Sequence, residues 1–281
     1  MYLADCHVHS NVSADAEVPM TELARLALEA GLNEVCFTDH VEPEVVFGAR
    51  PDWKHLTAEF EKAQNIMGDQ ICLHIGVELG DAPWDFDAAE ALLTEGPELD
   101  FVIGSVHCVT PKLGGMNIYN YVPKDEQEAY LAIEDYLSQL EKLAAWGKFD
   151  VLGHLTVPLR YFYRRGMTQL TFDPYEEQVR EILRTLLQKG CGMELNTNLG
   201  DDPVPGAKWL KLYRELGGEM ITLGSDTHKP GAIGKGIREG QELLRACGFK
   251  RFCTFEKRQP IWHELYLLFP AAQDILLITI S

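Results

Sequence analysis

An α/β fold built on a parallel sheet is the class this sequence predicts, and three observations predict it. Short apolar runs of strand length alternate with amphipathic stretches of helical period along nearly the whole chain. Metal-binding residue types recur at the C-terminal ends of those apolar runs, where a parallel sheet gathers its functional groups on one rim. No Gly/Ser- or Pro-rich linker breaks the rhythm, so residues 1–281 read as a single domain.

Met1-Tyr2-Leu3-Ala4 opens the first strand, which runs into Asp5-Cys6-His7-Val8-His9-Ser10, with Asp15 closing the stretch. Strand alternation puts residues 5, 7 and 9 on one face and leaves two imidazoles side by side. A lone His-x-His pair also occurs by chance, so its weight comes from the ligand-type residues at the later strand ends. Leu23, Leu26, Ala27 and Ala30 form the apolar stripe of the first helix, with Thr21 placed to cap its start and Gly31 to end it. The next strand, from Glu34 to Thr38, delivers Asp39 and His40.

The same rhythm predicts helices over about 54–67, 84–94, 124–147, 174–189, 206–216 and 236–247. Strands are expected near 71–78, 101–106, 149–153, 191–196 and 220–224. Seven strands then feed one rim, with Arg251-Phe252-Cys253-Thr254 a candidate extra strand. Residues 81–87, 110–123 and 158–166 read as loops at the substrate entrance. The last of these holds Arg160, Arg164 and Arg165 in a protein short of positive charge.

Nine side chains of ligand type stand at strand ends or in the first loop: His7, His9, Asp15, His40, Glu78, His107, His154, Asp226 and His228. Six of the chain's nine histidines fall in this set, so histidine usage is concentrated. Imidazole with carboxylate suits zinc, iron or manganese. Asp5 and Asp39 are placed to orient histidine ligands. His74 shares the strand face of Glu78 but lies four residues lower, about 13 Å down the strand. It stays outside the set with His55 and His263.

The formal net charge of −18 argues against a broad nucleic-acid or anionic-membrane surface. Clustered divalent cations would convert an acidic rim into a positive pocket for an anionic substrate. The seven cysteines include no Cys-x-x-Cys pair and read as structural thiols in a reducing compartment. The N-terminus lacks the pattern of a secretory signal, and the apolar tail from Leu265 to Ile280 is interrupted by Pro270 and Asp274. A cytoplasmic protein without membrane partners is expected.

The ordered series His-x-His, Asp15, Thr-Asp-His, Gly-x-Glu, Ser-Val-His, Gly-His and Ser-Asp-x-His resembles the polymerase and histidinol phosphatase (PHP) superfamily, most of all its histidinol-phosphate phosphatase branch. The likeness runs from His7 to about Thr254. It implies a distorted seven-stranded (β/α)7 TIM-like barrel holding three divalent transition-metal ions. By resemblance, His7, His9, Glu78 and Asp226 hold the first ion. Glu78 bridges to a second completed by His107 and His154, and Asp15, His40 and His228 hold the third. Many members have histidine where this chain has Asp15.

The resemblance further implies a metal-dependent phosphomonoesterase acting on a small phosphorylated substrate, L-histidinol phosphate first, in histidine biosynthesis. A hydroxide shared between metals would attack phosphorus. Arg160 would contact the phosphate, and Asp226 or a metal-bound water would protonate the leaving alcohol. One departure bears on the substrate. Members read Asn-Thr-Ser-Gly-φ-Arg after the sixth strand, φ being apolar, with a second phosphate-binding arginine, whereas this chain reads Asn196-Thr197-Asn198-Leu199-Gly200-Asp201-Asp202. Another small phosphomonoester, a phosphodiesterase or exonuclease activity, and a noncatalytic metal-stabilised module are the alternative readings.

Overall fold

The computed structural model describes residues 1–43 and 51–265. All of the tail 265–280 except Leu265 therefore lies outside the described residues.

Seven parallel strands stand side by side in sequence order: β1 (Ala4–Val8), β2 (Glu34–Val41), β3 (Cys72–Gly80), β4 (Phe101–Ser105), β5 (Val151–Leu152), β6 (Gly192–Asn196) and β7 (Ile221–Gly224). The first and last strands meet across the remaining gap. Val8 bridges Thr227, His9 N–H donates to Thr227 O at 3.0 Å, and Asp226 N–H donates to His7 O at 2.8 Å. The sheet is thus a nearly closed barrel, a point the residue pattern alone left undecided and the family resemblance decided correctly.

Eight helices connect and cover the strands: α1 (Met20–Glu29), α2 (Trp53–Met67), α3 (Phe86–Glu95), α4 (Glu126–Trp146), α5 (Val157–Arg164), α6 (Glu176–Lys189), α7 (Ala207–Glu215) and α8 (Ile237–Ala246), counted among the described residues. Asp52, Asp85 and Asp125 cap α2, α3 and α4, each carboxylate accepting a backbone N–H of the first turn. The strands are apolar and almost wholly buried because helices cover one face and the packed barrel interior the other.

Three local expectations differ from the structure. Helix α1 starts at Met20 behind Pro19, so Thr21 lies inside the first turn and caps nothing; the buried stripe is Met20, Leu23, Ala24 and Ala27, while Ala30 is exposed. Pro19 sets the start, because its φ of −60° already suits helix entry. The segment 158–166, read as a loop, is largely helix α5, with Pro158 in the first turn, where a missing N–H costs nothing. Arg251–Glu256 does not extend the barrel but pairs antiparallel with Gln259–Glu264 as a hairpin, β8 and β9.

Candidate metal centre

The ligand-type residues all reach the same rim. His7 and His9 leave the end of β1, His40 and Glu78 come from the ends of β2 and β3, and His107 and His154 follow β4 and β5. Asp226 and His228 follow β7. Gly224 is required at this approach, since a Cβ there would stand 2.3 Å from the Cβ of His7 and 2.6 Å from Glu194 Oε1. Asp226 itself sits at φ 59°, an unfavourable left-handed conformation for a residue with a side chain, held by its backbone bond to His7.

The donors form three adjoining groups. His7 Nε2 lies 3.2 Å from Glu78 Oε2 and 3.7 Å from Asp226 Oδ1, and His9 Nε2 lies 3.5 and 3.4 Å from the same two oxygens. The other oxygen of Glu78, Oε1, faces His107 Nε2 at 3.0 Å and His154 Nε2 at 2.8 Å. Asp15 Oδ2 stands 3.6 Å from His40 Nε2 and 3.4 Å from His228 Nε2, which are 3.5 Å from each other. Donors about 2.0–2.2 Å from one ion at tetrahedral angles stand about 3.3–3.6 Å apart, so the first and third groups have the spacing of ligand shells. Buried His7 Nε2 and His9 Nε2 have no hydrogen-bond partner, which buried polar nitrogens rarely tolerate. The residues present fit divalent metal ions.

Charges in the cluster follow from this crowding. Burial pushes the His7 imidazole down, but Glu194, Glu78 and Asp226 outweigh it and hold its pKa well above the ordinary value. His9 moves the other way, lowered by burial and by the neighbouring His40 and His228. Burial raises Asp226, yet His7, His9 and Arg160 hold it well below the usual carboxylate range.

Arg160 is not a surface arginine. It lies on the buried face of α5, where its guanidinium donates to Asp226 Oδ2 and to Asn196 Oδ1, both at 2.6 Å. Its fork therefore joins the ends of β6 and β7 beside the first donor group. Arg164 and Arg165 are exposed.

Asp5 and Asp39 do not touch an imidazole. Asp5 accepts from Ser225 and Gly234, and Asp39 from Ser10 and Ser13, so both pin the loops that carry the donors. Ser13 passes the constraint on, its hydroxyl lying 3.3 Å from His9 Nδ1, and Asp5 also accepts from the backbone N–H of His7 at 3.3 Å. The carboxylate that orients a histidine is Glu194, whose Oε1 lies 2.6 Å from His7 Nδ1 and whose Oε2 accepts from His154 N–H. Glu42, 3.4 Å from His40 Nδ1 and 3.8 Å from His107 Nδ1, also joins the cluster. Reasoning from sequence missed both. Their signals were an acid inside the apolar run Met193-Glu194-Leu195 and an acid two residues after His40.

After β6, Asn198 and Leu199 take left-handed conformations, at φ 50° and 58°. Asn196 Oδ1 serves both Arg160 and Asn198 N–H. Asn198, Asp201 and Asp202 line a cavity of about 530 Å³ together with Arg160, Arg164 and Trp209.

Known proteins are similar to this chain in sequence and fold. The family model of the PHP domain matches residues 5–198. A histidinol-phosphatase of Lactococcus lactis is 30% identical over 262 residues, 89% of this chain and 93% of that protein. The crystal structure of histidinol phosphate phosphatase from Lactococcus lactis, complexed with zinc, L-histidinol and phosphate, superposes with a TM-score of 0.78 at 27% identity, covering 92% of this chain and 98% of that one. A Listeria monocytogenes structure shares the fold at 19% identity, with a TM-score of 0.69 over 84% of this chain and 99% of its own.

Proposed function

The chain belongs to the PHP domain family, and from that membership we propose that it is a metal-dependent phosphomonoesterase hydrolysing L-histidinol phosphate to L-histidinol and phosphate. The observation that carries the reading is Glu78, a buried carboxylate whose two oxygens face separate groups of imidazoles. A carboxylate alone among these side chains can serve two ions with two oxygens. His7, His9, Asp226 and Glu78 would hold one ion, Glu78, His107 and His154 a second, and Asp15, His40 and His228 a third. When bound, divalent ions neutralise phosphoryl oxygens and lower the pKa of water toward neutrality.

The chain's own residues supply orientation and charge. With metal bound, Glu194 would keep the proton of His7 on Nδ1 and leave Nε2, which faces Glu78 and Asp226, free to serve as the ligand atom. Arg160 fixes Asp226 by one nitrogen and carries a forked positive charge suited to phosphoryl oxygens. Neighbouring His7, His9 and Arg160 hold Asp226 well below the usual carboxylate range, which favours a ligand and an anchor for Arg160 over the acid that protonates the leaving alcohol.

A second substrate reading, another small phosphomonoester, has one observation in its favour. Counted from Asn196, Asp201 occupies the place of the second arginine of the resembling sequences. Among the described residues no helix is long and apolar enough to cross a membrane.

The deciding experiment is a phosphatase assay of metal-reconstituted protein over histidinol, sugar, nucleotide and amino-alcohol phosphates. Histidinol phosphate should be hydrolysed with the highest kcat/KM. Turnover of it no better than of a generic aryl phosphate, beside a preferred competitor, rejects the substrate and keeps the phosphatase. No phosphate release from any ester rejects both.

A further inference from the structure

At the opposite end of the barrel, Glu34 and Cys72 open strands β2 and β3 and are direct partners in the parallel register. His74 follows Cys72 by two residues and therefore returns to the same side of β3. Cys72 Sγ lies 3.3 Å from His74 Nε2, and Glu34 Oε1 lies 3.4 Å from the same nitrogen. One donor atom from each of the three residues falls within 4.8 Å of the others. From these residues we infer that the chain has a separate zinc site, formed by Glu34, Cys72 and His74.

Four features distinguish this cluster from chance proximity. Glu34 is 2% exposed, yet its Oε1 has no hydrogen-bond partner, whereas its Oε2 is fixed by the Tyr2 hydroxyl at 2.6 Å. The far nitrogen of the imidazole, Nδ1, faces Asp100 Oδ2 at 3.3 Å, the carboxylate–histidine arrangement that turns Nε2 toward a metal. Asp100 is itself held by the backbone N–H groups of Ile75 and Lys257. Cys72 is the one exposed thiol of the seven, the others being buried, so it alone departs from the structural role expected of them all.

A thiolate, an imidazole and a carboxylate make a mixed donor set suited to zinc, and three protein ligands leave its fourth position for solvent. A zinc-bound sulfur and nitrogen stand about 3.5 Å apart at tetrahedral angles, close to the spacing of Cys72 and His74. The site lies on the strand that carries Glu78, about 13 Å below it, too far to share an ion with the rim. The inference is independent of the hydrolytic reading.

The competing account is a proton. Burial lowers the His74 imidazole, but Asp100, Cys72 and Glu34 outweigh it and push its pKa up to about 10, so without metal it can stand as an imidazolium between two carboxylates. Zinc would replace the Nε2 proton and ionise the thiol. Sulfur gives the test its specificity, because no rim donor is a thiol.

The test uses the full chain with its rim metals already loaded. Alkylation of Cys72 by iodoacetamide, located by mass spectrometry, should slow by about 10-fold or more on adding one further equivalent of Zn²⁺. His74→Ala should remove that protection. Co²⁺ in place of Zn²⁺ should give a thiolate-to-cobalt charge-transfer band that Cys72→Ser, an exposed and conservative change, abolishes. Unchanged alkylation with one equivalent of Zn²⁺, equal protection in folded His74→Ala, or a cobalt–sulfur band surviving in Cys72→Ser overturns the site.

Discussion

Replacing Glu194 by glutamine separates orientation of the metal centre from its ligands, because Glu194 lies one shell behind them. Its Oε1 is 2.6 Å from His7 Nδ1, and its Oε2 accepts from His154 N–H at 2.8 Å. A glutamine of the same shape has one acceptor and one donor end. With its NH₂ toward His7, Nδ1 must become the acceptor, and the imidazole proton moves to Nε2, the atom that faces Glu78 and Asp226. With its NH₂ toward His154, two donors meet. The first choice keeps both bonds but turns a protonated Nε2 toward the metal donors, and the second leaves a buried donor unpaired, a loss of about 1–3 kcal/mol. Loss of such an outer carboxylate typically lowers metal affinity by about 10–100-fold, equivalent to about 1.4–2.7 kcal/mol. Chelator competition on Glu194→Gln should show that loss, and raising the metal concentration should restore kcat/KM. Wild-type metal affinity in the folded variant would refute the orienting role.

Arg160→Lys can engage Asp226 or Asn196 but not both, so kcat/KM should fall by about 10-fold or more with metal content unchanged; unaltered kinetics would return Arg160 to a packing role. His7→Ala, Glu78→Ala and Asp226→Ala should each lose metal and activity together, as measured by elemental analysis and phosphate release. Chelation should lower the melting temperature of the wild type through one transition, as expected of a single domain over residues 1–281, and two separated transitions would count against that organisation. Asp201→Arg, which restores the residue type of the resembling sequences, should raise kcat/KM for histidinol phosphate by about 10-fold if the side chain reaches the phosphoryl end. No change would place residue 201 beyond its reach.

Legibility in the sequence followed the physics of each feature. The strand-end histidines were readable because a parallel sheet brings distant strand ends to one rim whatever separates them in the chain. Arg160 was readable as a residue but not as a buried one. Its segment carries Pro158 and Gly166 and three arginines, a loop-like composition, and only packing shows that one arginine turns inward. Glu194 escaped because an acid within an apolar strand carries no mark of its partner, and that partner, His7, is 187 residues away. Asp5 and Asp39 were readable as anchors but not as anchors of serines, since the choice between an imidazole and a hydroxyl depends on loop paths that no periodicity encodes. Closure of the barrel rests on backbone bonds between His7 or His9 and residues 226 and 227, contacts to which side-chain pattern is blind.

The rim's charge also orders the events of binding. Glu78, Asp226, Asp15, Glu42 and Glu194 bring carboxylates to a small volume of a protein with formal net charge −18. Against them stand Arg160, both of whose terminal nitrogens are already engaged, and the imidazoles of His7, His40 and His107, which these carboxylates hold above their ordinary pKa but which would give up their Nε2 or Nδ1 protons to serve as ligands. A phosphate ester approaching this rim without cations meets like charge, so its binding depends on metal occupancy. By linkage, phosphate must then strengthen metal binding by the factor through which metal strengthens phosphate binding. Asp201 and Asp202 stand exposed on the loop after β6. They add negative charge where a second arginine is absent, which disfavours a phosphoryl group there and favours an ammonium. An amino-alcohol phosphate would satisfy both fields at once if its amine faces those acids, and a sugar phosphate would satisfy only the first.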